Sequence, residues 1–250
     1  MPKPMMIIVK TGEAVAAAQA DGRDFEHWFM QGLGPGRFDY RTIRVDQDQL
    51  LPSLPQLDPA TAVVVTGSPA MVSHHLAWSE RTATWLAEVH HAGHPILGVC
   101  FGHQLLAHAL GGTVGPNPAG RKMGRSELAV TDRDDPLLGP FADRCAFHVS
   151  HVEAVLVPPD GARVVATAAH DRFHALHFGG RSWGIQFHPE FDRGVMQAYI
   201  ETRADALRDE GQNPNALIGA LEDDTPGPSL LQCFAELALA PARVDLSCGA

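Results

Sequence analysis

The stretch "PILGVCFGHQLLAHALGG", residues 95–112, changes its hydrophobic pattern at a single cysteine. The residues before Cys100 form a short apolar run, which is typical of a buried strand. The residues after it place leucine and alanine at helical spacing until two glycines, Gly111 and Gly112, end the pattern. The stretch therefore predicts a strand, a turn at Cys100 and a helix. Such a cysteine is either a small buried hydrophobe or a thiol held out for chemistry.

Segments on the N-terminal side repeat this arrangement. Three short apolar runs predict buried parallel strands: "MMIIVK" at 5–10, "TAVVVTGS" at 61–68 and "HPILGVC" at 94–100. Between the last two, "LAWSERTATWLAEVHHAG" at 76–93 has the apolar spacing of a helix and ends at a glycine. The alternation predicts an α/β fold, with an open, mostly parallel, flavodoxin-like sheet flanked by helices.

The second half of the chain consists of strand-like pieces separated by turns, and we expect them to extend the sheet with antiparallel strands. They are "ELAVTD" at 127–132, "CAFHVSHVEAVLV" at 145–157, "ARVVATAA" at 162–169, "FHALHFG" at 173–179 and "SWGIQFHPEF" at 182–191. Helices are predicted at 193–208 and 230–240, with a loop at 209–216 between them. We expect one domain over 1–200, with 201–250 as a helical appendage of the same domain.

The composition excludes several classes of partner. The chain has 250 residues and a formal net charge of −10, which disfavours binding to nucleic acid or to anionic membranes. No apolar run is long enough for a signal-peptide core or a membrane span, so the sequence predicts a cytosolic protein. The four cysteines contain no CxxC pair, so no zinc or redox pair is expected and a thiol is available as a nucleophile.

Two further patterns are discounted. The adjacent pairs His74-His75 and His90-His91 point in different directions on a helix, and no HExxH motif is present, so we expect no metal and no cofactor. The segment "GPNPAGRKMG" at 115–124 has glycines at P-loop spacing, but Lys122 is one place late and Met123 replaces the expected hydroxyl. We expect this segment to form a loop over the site.

Three segments carry candidate chemistry, beginning with "GVCFG" at 98–102. Small residues flank the cysteine in the small-x-nucleophile-x-Gly form of a strand-to-helix elbow. At such a turn the thiol faces a helix N-terminus, whose partial positive charge favours the thiolate. The backbone amide of Phe101 can then donate to an oxyanion. A buried structural cysteine at the end of a strand is the alternative interpretation of Cys100.

The other two segments supply the groups that such a nucleophile needs. In "GIQFHPEF" at 184–191, His188 and Glu190 are two residues apart, so an extended backbone places both on one face and lets Glu190 orient His188 as a base. In "VVVTGSPA" at 63–70, the amides of Gly67 and Ser68 can supply a second oxyanion donor, because parallel strands end at one sheet edge. An isolated histidine and an ordinary turn are the alternatives.

Together, "GVCFGHQLLAHALGG", "TGSP" and "GIQFHPE" resemble the signature segments of the class I, or triad, glutamine amidotransferases, especially the glutaminase domain of GMP synthase. The resemblance runs over residues 5–195. It implies Cys100 as nucleophile, His188 as base and Glu190 as its orienter. The reaction implied is cleavage of the γ-carboxamide of glutamine to glutamate and ammonia through a γ-glutamyl thioester.

The resemblance also implies residues that bind the substrate. Gln104 matches a family position whose side chain contacts bound glutamine. Ser150 and His151 fall in a turn whose backbone holds the amino-acid end of glutamine in GMP synthases. Val152 and Glu153 replace the glycine and aspartate of that turn, so this part of the pocket departs from the family pattern.

Three functions stay open at this point. About fifty residues follow the glutaminase portion, too few for a synthetase domain, so the ammonia either passes to a synthetase subunit or is simply released. In the second case the substrate can be a γ-glutamyl peptide or amine. A non-catalytic regulatory subunit of a synthetase is a third possibility, although such a subunit would not need all three of Cys100, His188 and Glu190.

Overall fold

The computed structural model describes residues 3–143 and 146–241, so Cys145, Cys248 and the end of the predicted appendage, 242–250, lie outside the described residues. The strands are β1 (Met5–Lys10), β2 (Asp39–Arg44), β3 (Ala62–Val65), β4 (Ile96–Val99), β5 (Thr113–Pro116), β6 (Lys122–Val130), β7 (Ala146–His151), β8 (Glu153–Val157), β9 (Arg163–Ala168), β10 (Asp171–His177) and β11 (Ser182–Ile185). The α-helices are α1 (Phe25–Leu33), α2 (Ala77–His91), α3 (Phe101–Ala109), α4 (Arg193–Thr202), α5 (Ala204–Asp209), α6 (Pro214–Gly219) and α7 (Gly227–Leu239).

The central sheet has nine strands in the order β2-β1-β3-β4-β11-β10-β9-β6-β7. The first five run parallel to their neighbours, and the pairs from β11–β10 onward are antiparallel. The predicted α/β fold, with a mostly parallel sheet and an antiparallel extension, is confirmed. The predicted single piece at 145–157 instead divides at Val152, because β8 leaves the main sheet and pairs with β5.

Both faces of β1, β3 and β4 are buried, which explains why these three strands are almost continuously apolar. In β1, Met6 and Ile8 pack into the core cluster that also contains apolar residues of α1, α4 and α7. The alternate residues Ile7 and Val9 pack into a second cluster, which contains residues of α2 and α3. The period of two along the strand therefore sends successive side chains into two different helix layers.

Some elements differ from the prediction. The predicted helix 193–208 is divided, because the backbone leaves helical geometry at Arg203. The predicted loop 209–216 contains the start of α6, whose first turn is capped by the side chain of Asn213 with a proline next to it. The sequence reasoning also missed α1 and β2. Within the described residues, no helix has both the length and the apolar character needed to cross a membrane.

Candidate active site

The backbone at Cys100 has the geometry of a strained elbow. This residue joins β4 to α3 with φ 53° and ψ −104°, in the positive-φ region that favours glycine. Its N–H donates to the carbonyl of Ile185 at 2.8 Å, which ties the turn to the neighbouring strand β11. A non-glycine residue held in such a conformation costs about 1–3 kcal/mol, so the surrounding structure must enforce it. The predicted strand, turn and helix are all present.

Two glycines make the elbow sterically possible. A Cβ on Gly98 would lie 2.4 Å from the carbonyl oxygen of Gly102, within the turn itself. A Cβ on Gly102 would lie 2.4 Å from the carbonyl oxygen of Val65, at the end of β3. Both distances are far shorter than any real contact of a Cβ atom. The small residues on either side of Cys100 are therefore required by close backbone packing.

We expect Gly102→Ala to destabilise the protein by about 3 kcal/mol or more, because backbone must move to admit the methyl group. The matched control is Gly219→Ala in α6, where an added Cβ meets nothing within 4 Å. We expect that control to change stability by less than about 1 kcal/mol. Urea unfolding of both variants makes the comparison. Equal midpoints for Gly102→Ala and the wild-type protein would contradict the packing argument.

His188 and Glu190 meet as the sequence predicts, but on a different backbone. Nδ1 of His188 lies 2.7 Å from Oε1 of Glu190, and both residues are buried. The expected extended segment is wrong: after β11 the chain bends, His188 makes a single bridge to His148, and Pro189 and Glu190 form a turn. The turn brings the two side chains together, because it folds Glu190 back beside His188.

The charges around His188 favour its protonated form. Burial alone opposes protonation, but the Glu190 carboxylate and the neighbouring Cys100 side chain outweigh it and raise the pKa of His188 to about 10. The imidazole ring stacks on Phe191 with 4.1 Å between ring centroids, which limits its rotation. The imidazole of His188 thus lies between the Glu190 carboxylate and the candidate nucleophile, Cys100.

A cavity of about 390 Å³ opens above Cys100 and His188. Seven of the nine predicted site residues line it: Ser68, Cys100, Phe101, Gln104, Ser150, His151 and His188. The other two lie behind this lining. Glu190 sits beyond His188, and a Cβ on Gly67 would come 2.9 Å from Cε1 of His188, so Gly67 packs directly against that ring. All nine residues therefore belong to one region of the fold.

The turn at Gly67 and Ser68 is held in place by Thr11. The hydroxyl of Thr11 donates to the carbonyl of Gly67 at 2.9 Å, and the hydroxyl of Ser68 donates to the carbonyl of Thr11 at 2.6 Å. Phe101 begins α3, so its amide belongs to the first turn of the helix, where N–H groups lack intrahelical partners. Two backbone segments with donor groups thus flank the thiol.

The predicted substrate-binding residues form the wall opposite this turn. Gln104 donates its side-chain N–H₂ to the carbonyl of Glu153 at 2.8 Å and to Oε1 of Gln186 at 2.9 Å. The carbonyl of Ser150 is 3.6 Å from the sulfur of Cys100. The Glu153 carboxylate, which replaces the aspartate of the family, accepts a hydrogen bond from the hydroxyl of Ser73. Glu153, although it differs from the family residue, is therefore part of an ordered cavity wall.

Charged residues that the sequence reasoning missed complete the cavity. Glu13, Arg121 and Arg203 line it, and Tyr199 joins them. Arg121 lies in the loop between β5 and β6 that was expected to cover the site, and it pairs with Glu210 at 3.0 Å. No motif or spacing in the sequence marks these side chains, because Glu13 and Arg121 come from loops and Tyr199 and Arg203 from α4 and its C-terminal cap.

Comparison with known proteins assigns the chain to a family. The model of the class I glutamine amidotransferases matches residues 22–205. Over 143 residues the chain is 39% identical to the glutamine-hydrolyzing GMP synthase of Aeropyrum pernix, a match that covers 57% of this chain and 26% of that enzyme. It is 34% identical over 139 residues to a subunit of the glutamine-hydrolyzing GMP synthase of Saccharolobus solfataricus, covering 53% of this chain and 70% of that subunit.

Two more distant relatives extend the comparison. Gamma-glutamyl peptidase 3 of Arabidopsis thaliana is 26% identical over 178 residues, which is 69% of this chain and 71% of that protein. A glutamine amidotransferase from Thermotoga maritima has the same fold, with a TM-score of 0.76 at 19% identity, covering 96% of this chain and all of the other. The chain therefore belongs to the class I glutamine amidotransferase family.

Proposed function

We propose that the protein hydrolyses the γ-carboxamide of glutamine, with Cys100 as nucleophile, His188 as general acid and base, and Glu190 as the residue that positions His188. The observation that carries this proposal is the arrangement of a strained thiol and a carboxylate-bound imidazole at the base of one cavity. Family membership supports the reaction class.

The first step is attack of the Cys100 thiolate on the γ-carbonyl carbon of glutamine. The raised pKa of His188 supports a protonated imidazole beside the sulfur at neutral pH, and a neighbouring cation of this kind favours the nucleophilic thiolate of a cysteine. Attack forms the S–C bond and moves the carbonyl π electrons onto oxygen. The amides of Phe101 and of the turn at Gly67 and Ser68 donate to that oxyanion.

The second step breaks the C–N bond of the tetrahedral intermediate. The His188 imidazolium gives its proton to the departing nitrogen, which leaves as ammonia, and the γ-glutamyl thioester of Cys100 remains. Neutral His188 then takes a proton from water, whose oxygen attacks the thioester carbonyl. Collapse of this second intermediate releases glutamate and restores the thiolate and the imidazolium. Glu190 keeps Nδ1 of His188 protonated throughout, so Nε2 carries out both transfers.

The charges of the cavity suit the amino-acid end of glutamine. Arg121 and Arg203 line the cavity and can pair with an α-carboxylate, and Glu13 can pair with an α-ammonium group. Arg121 and Glu13 already pair with Glu210 and Arg44, so they would share their charge with the substrate. Gln104 and the backbone of Ser150 and His151 form the remaining wall, where the family resemblance predicts contacts to the substrate. These charges therefore support a free α-amino acid end rather than a blocked one.

A second candidate is hydrolysis of γ-glutamyl peptides or amines. The similarity to gamma-glutamyl peptidase 3 favours it, because that match covers more of this chain than either match to a GMP synthase. The chemistry is the same except that a larger amine leaves instead of ammonia. Transfer of ammonia to a synthetase subunit is a further proposal, supported by the similarity to one subunit of a GMP synthase. If the protein were instead a non-catalytic subunit, neither glutamine nor γ-glutamyl compounds would be hydrolysed, and both catalytic proposals would be wrong.

The test compares glutamine with γ-glutamyl dipeptides as substrates of the purified protein. We expect release of glutamate and ammonia from glutamine, with kcat/KM at least about 10-fold above that for the dipeptides, because the proposal assigns the cavity to glutamine itself. Asparagine is the control substrate, one methylene shorter. The reverse preference would support the peptidase, and hydrolysis of neither substrate would contradict the catalytic interpretation.

A further inference from the structure

We propose that His151, His170 and His174 form a binding site for a divalent transition metal, Zn²⁺ in particular, on the wall of the candidate active site. His151 ends β7, His170 lies in the turn between β9 and β10, and His174 lies within β10. One ring nitrogen of each lies within 4.8 Å of those of the other two. The ring centroids are 5.0–5.9 Å apart.

Each of the three rings has a buried nitrogen without a partner. Nε2 of His151, His170 and His174 is buried and makes no hydrogen bond. His151 is 6% exposed and His174 is 0% exposed, so these atoms have no access to bulk water. Buried polar atoms are nearly always paired, and leaving one unpaired is unfavourable because it loses its hydrogen bonds to water. Three such atoms in one cluster of histidines indicate a ligand that satisfies all of them.

The other ring nitrogens fix the tautomer that a metal requires. Nδ1 of His151 lies 2.9 Å from the carbonyl oxygen of Glu153, which can only accept, so Nδ1 carries the hydrogen. Nδ1 of His174 lies 3.0 Å from Oδ2 of Asp171, which holds the hydrogen there in the same way. In both rings Nε2 is left with a bare lone pair. Metal-binding histidines are held by such carbonyl and carboxylate contacts to the opposite nitrogen.

The set of donors fits zinc. Three neutral imidazoles with a fourth position open to water form a common Zn²⁺ site, and imidazole nitrogen also suits Cu²⁺, Ni²⁺ and Co²⁺. In a tetrahedral zinc site the nitrogens are roughly 3.3 Å apart, so small rotations of the rings would close the present spacing. The Asp171 carboxylate, whose contact to His174 is buried, supplies negative charge, while the nearby Lys122 opposes it in part.

This site was not expected from the sequence, which predicts no metal. The three histidines have no recognisable spacing, since two different strands and a turn contribute them. A second cluster, His75, Glu80 and His108, lies nearer the surface, and a ring nitrogen of each of its histidines already contacts the Glu80 carboxylate. This second cluster therefore lacks buried, unpaired ring nitrogens like those of the proposed site, and it serves as the control for metal binding. The metal proposal stands independently of the proposed reaction, although His151 borders the same cavity.

The experiment measures Zn²⁺ binding by calorimetry and Co²⁺ binding by visible absorption, using chelator-treated full-length protein. All variants carry C100S, because the thiol of Cys100 beside His188 is itself a potential zinc ligand. We expect one equivalent of metal to bind, with cobalt bands typical of four-coordinate geometry. We expect His170→Gln to weaken binding by more than about 100-fold, Asp171→Asn by about 10- to 100-fold, and His108→Gln to have no effect.

His170 is the most accessible of the three residues, so His170→Gln is the variant best able to fold, and circular dichroism checks it. His174→Gln repeats the test at the fully buried histidine of the cluster. Absence of stoichiometric binding in the C100S protein would overturn the proposal. Binding that survives His170→Gln, or that is lost in His108→Gln, would overturn it too, because the metal would then lie elsewhere.

Discussion

Replacing Cys100 with serine is expected to slow glutamine hydrolysis by about 10⁴-fold or more while changing the free energy of unfolding by less than about 1 kcal/mol. The hydroxyl has nearly the shape of the thiol, so the elbow and its hydrogen bond to Ile185 should persist. It is not ionised near neutral pH, however, so it cannot form the anion that faces His188. Glutamate release and urea unfolding measure the two effects separately.

Cys233→Ser is the matched control for this variant. Cys233 lies on α7, half-buried, with its sulfur 3.3 Å from the carbonyl of Pro136. Burial raises the pKa of its thiol, which disfavours a reactive thiolate. We expect full activity after this substitution. If C100S kept more than about 1% of the wild-type rate, or if C233S lost as much activity as C100S, the assignment of the nucleophile would be wrong.

Replacing His188 with glutamine is expected to lower kcat by about 10³- to 10⁴-fold, because the acid for the departing ammonia and the base for water are removed together. Glu190→Gln keeps the shape of the carboxylate but removes its charge, and we expect a loss of about 10²-fold or more. Rates measured over a pH series test both variants. An unchanged pH profile in Glu190→Gln would contradict the role given to its charge.

The contact between His188 and Glu190 also predicts how the free energy of unfolding changes with pH. The pKa of His188 is raised in the folded protein, to about 10, above its ordinary value of about 6.5. Its contribution is therefore fully present below about pH 6.5 and is lost as the pH rises toward 10. We expect the difference in unfolding free energy between the wild-type protein and His188→Gln to shift against the wild type over this range. A difference independent of pH would contradict the coupling.

The elbow could be predicted from the sequence because its requirements are local. Gly98 and Gly102 are adjacent to the turn that needs them, and the apolar run and the helical spacing stand on either side of Cys100. The pairing of His188 with Glu190 was also accessible, since the two are close in sequence. The backbone that pairs them was predicted wrongly, because a proline-containing turn and an extended segment can both bring residues i and i+2 together.

The sequence analysis did not predict β2, α1 or the two cavity arginines, and the strength of the sequence signal differs among them. Strand β2 lies at the edge of the sheet, and only Ile43 of its six residues is fully buried, so its pattern is not that of a core strand. Helix α1 does carry a signal: Asp24 caps it, and its buried residues recur at helical spacing. Arg121 and Arg203 have no such signal, because only the tertiary fold brings them to the cavity.

The pairing of β4 with β11 has a consequence for how the reactive groups come together. Val99 is aligned with Ile185 in parallel register, and Cys100 and His188 follow these two positions at the same edge of the sheet. Neighbouring strands are about 4.8 Å apart, so this pairing brings the segments that carry the thiol and the imidazole side by side, and the bridge of His188 to His148 then holds the imidazole. The two reactive groups, 88 residues apart in the sequence, are therefore neighbours because their strands are paired, and a change that separated β4 from β11 would also separate the thiol from the imidazole.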